Sequence, residues 1–154
     1  MSPRRFISSG APWEALAGYS RAVVDSRWVF VSGTVGYDLR ANTWPPTAQT
    51  QAEKSIDIIE RALRDAGATL LDVVRVGVFV PDRADVEAVS AVVKRRLGAA
   101  RAANTTVCAP LAVDQAKVEI EVTALKAGDR RATSAAGRPA SRAASRSRAR
   151  RRPR

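Results

Sequence analysis

The side chains that could carry out chemistry are limited first by what the sequence lacks, since its 154 residues include no histidine. Without an imidazole, Ser-His-Asp catalysis, Cys-His catalysis and histidine-based metal sites are excluded. Acid–base chemistry is left to carboxylates, tyrosine, lysine, the thiol or bound water. The one cysteine, Cys108, permits no internal disulfide and fits a reducing compartment. We expect it to be a buried small apolar group rather than a nucleophile, and we expect no metal and no cofactor.

The spacing of the carboxylates indicates two different roles. Asp82 and Asp85 follow a β-branched segment and are typical of residues that begin a helix. Glu119 and Glu121 lie two residues apart, and a strand directs side chains at that spacing to one face. The spacing alone favours interpreting Glu119 as a solvated strand carboxylate paired with Lys117.

The segments that must position these side chains alternate between strand and helix patterns. Apolar stripes at spacings of three and four predict a helix over residues 48–66 that ends at Gly67, and a second helix that begins at Pro81 and Asp82 and ends at Gly98. β-branched or alternating segments predict strands over residues 21–24, 28–32, 73–80, 105–107 and 117–125, with a turn at 25–27. Two helices against one largely antiparallel sheet make an α+β layer architecture.

The two long helices cover only one face of the predicted sheet. Alternation places Val74, Val76, Val78 and Val80 on one face of their strand. The uncovered face combines charged and apolar side chains, namely Arg75, Lys117, Glu119, Glu121, Val73, Phe79 and Leu125. A small domain with such a face usually covers it by assembling with other copies, so we expect an oligomer.

The net charge of +11 is concentrated at the end of the chain. Residues 1–125 hold 15 Lys/Arg and 14 Asp/Glu, whereas residues 126–154 hold 11 Lys/Arg and one acid. We predict one domain over residues 1–126 and a disordered basic tail over residues 127–154, because the tail has no large apolar side chain to bury. The tail is interpreted either as a non-specific arm for nucleic acid or as a solvated or read-through extension.

The sequence has no apolar segment approaching the roughly 20 residues that a membrane-spanning helix needs, and no signal-peptide pattern. We therefore expect a cytoplasmic protein without membrane contact.

Six segments, in order and spacing, resemble the reactive intermediate deaminase (RidA) family, many members of which carry an endoribonuclease label. They are GYSRAV (18–23), VSGT (31–34), residues 51–67, residues 76–82, NTTV (104–107) and KVEIE (117–121). The resemblance covers about residues 5–126. It implies a chorismate-mutase-like α+β fold that assembles as a homotrimer, whose sheets line a central barrel and whose ligand clefts lie between subunits.

The resemblance also implies site residues. In deaminating members, a glutamate on the last strand holds the attacking water, an arginine grips the carboxylate of a 2-iminoacid, and a tyrosine and a Ser-Gly pair complete the cleft. The matching positions here are Glu119 as the catalytic residue and Tyr19, Ser32 and Gly33 as substrate-binding residues. Thr106, at the place of the family's frequent cysteine, is a further binding candidate.

Asn104 occupies the position of the family's arginine, thirteen residues before Lys117. An arginine–carboxylate pair is charged and bidentate, whereas asparagine offers one neutral hydrogen bond. Because a hydrogen bond to a charged group is worth about 1.5–3 kcal/mol and a neutral one about 1, the exchange weakens carboxylate binding roughly tenfold or more. Three alternatives stay open: the substrate lacks a carboxylate, Arg21 takes over, or Arg101 does.

Three functions follow from these patterns. The first is a small-molecule hydrolase that acts on imines or enamines through Glu119, and the second is a trimer whose clefts bind a metabolite without turnover. The third, a nucleic-acid protein, is the weakest, because residues 1–125 are nearly neutral and lack the histidine of ribonuclease chemistry. Fold resemblance does not decide between the first two.

Overall fold

One mixed sheet of six strands organises the part of the chain that the computed structural model describes, residues 3–127. Its strands are β1 (Arg5–Ile7), β2 (Ala22–Asp25), β3 (Trp28–Val35), β4 (Val73–Val80), β5 (Ala103–Cys108) and β6 (Glu119–Leu125). They lie in the order β1-β2-β3-β6-β4-β5, and neighbours are antiparallel except for the parallel pair β4 and β5. The helices are α1 (Pro12–Ala17), α2 (Ala48–Ala66) and α3 (Val86–Leu97).

The two long helices and five of the strands were predicted, and β1 and α1 were not. Strand β6 begins at Glu119, two residues later than predicted, because the Lys117 backbone N–H donates instead to Gln51 Oε1 at 2.8 Å. Of the predicted tail, residues 127–154, only Ala127 belongs to the described residues, so the tail and its boundary stay predictions. Among residues 3–127, no helix is both long and apolar enough to cross a bilayer.

Helix α2 begins and ends where its capping residues predict. The Thr47 hydroxyl accepts a hydrogen bond from the Thr50 backbone N–H at 3.1 Å, and Thr50 Oγ1 accepts one from the Thr47 backbone at 3.2 Å. At the other end Gly67 takes a left-handed φ of 79°, which glycine adopts without a steric penalty. The predicted apolar stripe is fully buried against the sheet: Ala52, Ile56, Ile59 and Leu63.

The hydrophobic core fills the space between one face of the sheet and helices α2 and α3. Val76, Val78 and Val80 of β4 are buried in it with Val89 and Val92 of α3. The β-branched side chains of the strand therefore pack beneath the helices, as the alternation predicts.

The predicted faces of Val73 and Val74 were wrong. Val73 is buried in the core, whereas Val74 is 40% exposed. The cause is a register irregularity between Val73 and Arg75 in the pairing of β4 with β6. An extra residue at a bulge shifts the alternation, so Val73 takes the same face as Val76 although the two are an odd number of positions, three, apart.

The other face of the sheet carries no helix in the described residues, as predicted. Trp28 and Phe30 stack there with ring centroids 6.3 Å apart, and 43% and 47% of their surfaces are exposed. Arg75 and Glu121 also contribute to this open face, where they line a shallow depression of about 250 Å³. The open face thus combines exposed aromatic surface with charge.

Candidate functional site

A carboxylate on β6 lies directly over a glycine on β3. Val31 pairs with Val122 and Thr34 with Ile120, so β3 carries one extra residue at the Ser32–Gly33 bulge. A Cβ built on Gly33 would lie 2.9 Å from Glu119 Cδ and closer still to Oε1. The Glu119 carboxylate therefore occupies the space that any other side chain at position 33 would fill.

The environment of Glu119 favours its neutral form. Burial raises the pKa of this carboxyl above its ordinary value of 4.5, the Arg21 charge opposes that rise, and the Glu121 charge adds to it. A carboxylate with a raised pKa is a better proton acceptor than a solvated one. Glu119 is consequently suited to exchanging a proton with water or a ligand.

Arg21 is the cation of this site, and its side chain is 94% buried. Nη1 donates to the Gly33 carbonyl at 2.8 Å and to Thr34 Oγ1 at 2.7 Å. Nη2 donates to the Tyr19 hydroxyl at 3.1 Å, and Arg21 Cζ lies 5.4 Å from the centre of the Tyr19 ring. The arginine thus joins the bulge to the tyrosine.

Glu14 balances the buried charge of Arg21. Its Oε1 lies 3.8 Å from Arg21 Nε, and its carboxylate accepts hydrogen bonds from the Ser8 hydroxyl at 2.5 Å and the Ser9 backbone at 3.0 Å. Burial raises the pKa of Glu14, but the hydrogen bonds from Ser8 and Ser9 and the Arg21 charge together outweigh it, so the pKa is lowered. Glu14 is therefore the ionised partner of the pair.

Tyr19, Arg21, Gly33 and Glu119 line one cavity of about 230 Å³. Its remaining wall is mostly apolar and aromatic, with Trp13, Val35, Tyr37, Leu39, Ile58 and Val113 among its members. The Trp13 and Tyr37 rings meet edge to face with centroids 5.4 Å apart. A few converging polar groups in an apolar cavity are the usual arrangement of a small-molecule site.

Asn104 and Thr106 lie in a different cavity of the same chain, between β4, β5 and α3. This second cavity has a volume of about 270 Å³, and its lining includes Ser90, Lys94 and Arg101 but no acidic residue. Thr106 Oγ1 donates to Asn104 Oδ1 at 3.1 Å, which leaves the amide nitrogen of Asn104 as the group that can donate to a ligand.

The structure therefore separates the predicted site residues. Tyr19, Arg21, Gly33 and Glu119 line the first cavity, whereas Asn104 and Thr106 line the second. Ser32 lies beside the first cavity but lines the open-face depression with Glu121, and its hydroxyl donates to the Ser20 carbonyl at 2.8 Å.

The prediction that Cys108 is buried was wrong. Cys108 is exposed at the end of β5, an edge strand that has a neighbour on one side only.

Sequence reasoning missed Glu14, the ion-pair partner of Arg21, and Tyr37 in the wall of the first cavity. Glu14 was overlooked because only the buried arginine distinguishes it from other acidic residues. Tyr37 comes from a segment unrelated to those of the polar cavity residues, and no spacing rule joins it to them. Within residues 3–127, no group of three or more His, Cys, Asp or Glu residues could hold a metal ion.

Fold and site together define a small α+β protein of the chorismate-mutase-like fold, with a half-buried carboxylate facing a glycine bulge in an apolar cavity. The chain belongs to the endoribonuclease L-PSP family, whose sequence model matches residues 9–126. A solved structure from Mycobacterium tuberculosis, a member of the YjgF/YER057c/UK114 family, is 35% identical with a TM-score of 0.73. That match covers 80% of this chain and 99% of the other. The predicted RidA membership and the chorismate-mutase-like α+β fold are thus confirmed, whereas the trimer and the loss of the family's arginine stay predictions.

Two curated relatives are similar over most of their length. The 2-iminobutanoate/2-iminopropanoate deaminase of Dermatophagoides farinae is 31% identical over 124 residues, which are 79% of this chain and 95% of the relative. The mitochondrial protein mmf2 of Schizosaccharomyces pombe is 34% identical over 121 residues, which are 77% of this chain and 90% of the relative. The expected cytoplasmic location stays a prediction.

Proposed function

We propose that this protein hydrolyses imines or enamines of small metabolites in a cleft that a neighbouring subunit completes. The observation that carries the proposal is the Glu119 carboxylate, half-buried over Gly33 in the cavity that also holds Tyr19 and Arg21. The similarity to a relative named as a 2-iminobutanoate/2-iminopropanoate deaminase supports the same chemistry.

In the proposed reaction, Glu119 holds and activates a water molecule. The carboxylate accepts a proton as the water oxygen bonds to the C=N carbon, and the electron pair of the C=N bond moves to nitrogen. The proton held by Glu119 then passes to that nitrogen. Glu119 next takes the hydroxyl proton of the resulting carbinolamine and passes it to the amino nitrogen. The C–N bond breaks as the carbonyl forms, and ammonia leaves. The raised pKa of Glu119 suits both rounds of proton transfer, because the carboxyl must each time accept a proton and then give it up.

The second cavity supplies the other half of the proposed cleft. Asn104 and Thr106 do not line the Glu119 cavity of their own chain, so in the proposed homotrimer they meet the Glu119 cavity of a neighbour. The open sheet face, with its exposed Trp28 and Phe30, supports burial against other copies. The Asn104 amide donates one neutral hydrogen bond to the end of the substrate that reaches the second cavity, and Arg101 lines the same cavity.

A metabolite-binding trimer without turnover is the second candidate. Its supporting observation is that Asn104 is neutral, so a 2-iminoacid carboxylate is held less firmly than by arginine. Turnover itself separates the two candidates, because both require the same cleft.

The test couples an amino-acid oxidase, which generates 2-iminobutanoate, to the full-length protein and follows imine hydrolysis. We expect slow hydrolysis by the wild type, loss of activity in Glu119→Gln, and about a tenfold gain in Asn104→Arg. Glu87→Gln is the matched control, since Glu87 is an exposed glutamate on α3 that does not line the Glu119 cavity. Light scattering on the same samples should give three times the chain mass.

Wild-type hydrolysis that Glu119→Gln leaves intact would refute the proposed role of the carboxylate. Binding of 2-oxobutanoate without any hydrolysis would favour the non-catalytic trimer. A stable monomer that hydrolyses imines would contradict the cleft between subunits.

A further inference from the structure

The hydrogen bond between Arg21 and Tyr19 fixes the direction in which the tyrosine can donate. A guanidinium has five N–H donors and no acceptor, so Arg21 Nη2 must be the donor at 3.1 Å and Tyr19 Oη the acceptor. The phenolic proton of Tyr19 is then left free for another acceptor. Because Tyr19 lines the Glu119 cavity, a ligand held in that cavity can supply the acceptor.

Arg21 itself is held so firmly that it can impose this direction. Nη1 is bound by the Gly33 carbonyl and by Thr34 Oγ1, and Thr34 in turn donates to the Ser32 carbonyl at 2.7 Å. The Arg21 side chain is 94% buried, and its Nε lies 3.8 Å from Oε1 of the ionised Glu14. Turning toward the end of the substrate that Asn104 meets would break these bonds, so the geometry favours a positioning role.

We propose that Arg21 is a positioning residue that makes Tyr19 a hydrogen-bond donor to the ligand, next to the Glu119 carboxylate. The inference rests on the proposed function and adds a requirement to it: the ligand presents an acceptor atom, such as a carbonyl oxygen or an imine nitrogen, to Tyr19. Tyr19 and Glu119 then contact the ligand as a donor and an acceptor from one cavity wall.

Only an arginine can bridge the two partners in this way. Its planar fork places Nη1 at the Gly33–Thr34 side and Nη2 at the Tyr19 hydroxyl at the same time. A lysine carries the same charge on one nitrogen, so Arg21→Lys retains the cation beside Glu14. It loses the hydrogen bonds on one side, either to Gly33 and Thr34 or to the Tyr19 hydroxyl. This substitution therefore separates hydrogen-bond geometry from charge.

The experiment uses the full-length protein labelled with ¹³Cζ-tyrosine, which gives one signal from each of its two tyrosines. Tyr37→Phe assigns the signals. We expect the Tyr19 signal to move in Arg21→Lys and in Thr34→Val, which removes one acceptor of Nη1 while keeping the buried ion pair. Arg64→Lys, an exposed position on α2, is the matched control and should leave the signal in place.

Kinetics test whether Arg21 acts through Tyr19. Losing one hydrogen bond worth about 1.4 kcal/mol lowers kcat/KM about tenfold, so we expect that loss in Arg21→Lys. In a Tyr19→Phe background, the same exchange should cost less than about twofold, because the hydroxyl that Arg21 orients is gone. A merely structural role would cost the same factor in both backgrounds.

An unchanged Tyr19 signal in both Arg21→Lys and Thr34→Val would overturn the inference, as would equal kinetic losses in the two backgrounds. If Arg21→Lys does not fold, Thr34→Val gives the same decision from the Tyr19 signal. If the wild type hydrolyses no imine, the proposed function fails, whereas the Tyr19 signal still decides the role of Arg21.

Discussion

Gly33→Ala should disable the proposed catalytic carboxylate while leaving the fold intact. The new Cβ would lie 2.9 Å from Glu119 Cδ, and the three atoms it meets first all belong to the Glu119 side chain. Since this is the end of a flexible side chain, it can yield by about 1 Å without moving the backbone. A misplacement of about 1 Å costs roughly 100-fold in rate, so kcat/KM should fall by about that factor, or about 2.7 kcal/mol of transition-state stabilisation.

The assay is imine hydrolysis by the full-length protein, with the thermal midpoint recorded for each variant. Gly77→Ala is the matched control, because its Cβ would meet Glu121, 2.9 Å from Cγ, on the same strand β6. Gly77→Ala should keep activity within about twofold, whereas Gly33→Ala should lose it at a nearly unchanged midpoint. Equal activity in the two variants would refute the inference that the position of Glu119 over Gly33 governs the chemistry.

Three further predictions concern stability. Because the folded pKa of Glu119 is raised above 4.5, its ionised form destabilises the fold at neutral pH. Glu119→Gln should therefore raise the free energy of unfolding at pH 7, as measured by urea titration. This gain in stability should disappear below pH 4.5. The folded pKa of Glu14 is lowered instead, so Glu14→Gln should destabilise the fold by roughly 2–3 kcal/mol at pH 7. That loss of stability should shrink as the pH falls through the folded pKa. Equal losses at pH 7 and pH 2 would contradict the ion pair with Arg21. Gly36→Ala should destabilise by about 3 kcal/mol in denaturant melts at any pH, because its Cβ would lie 2.6 Å from the Gln51 Cα, a backbone atom that cannot yield.

The sequence by itself determined the two long helices, five of the six strands and the family of this protein. Helix α2 followed from the apolar stripe, from Ala52 to Leu63, and from a glycine stop, which are local signals with a period of 3.6 residues. The alternation of β6 likewise predicted the buried and exposed positions of that strand. The ordered set of short motifs indicated the family, because each motif is contiguous in the chain.

Only the tertiary structure decided where the chemistry-bearing side chains meet. Tyr19 and Arg21 are neighbours in sequence, but their junction with Gly33 and Glu119 depends on the pairing of β3 with β6 and on one extra residue in β3. The same kind of irregularity in β4 exchanged the environments of Val73 and Val74. A bulge is a property of two paired strands, so the alternation within one strand does not reveal it. For the same reason, no local pattern could show that Asn104 lines a different cavity from Glu119, since long-range pairing places the ends of β5 and β6.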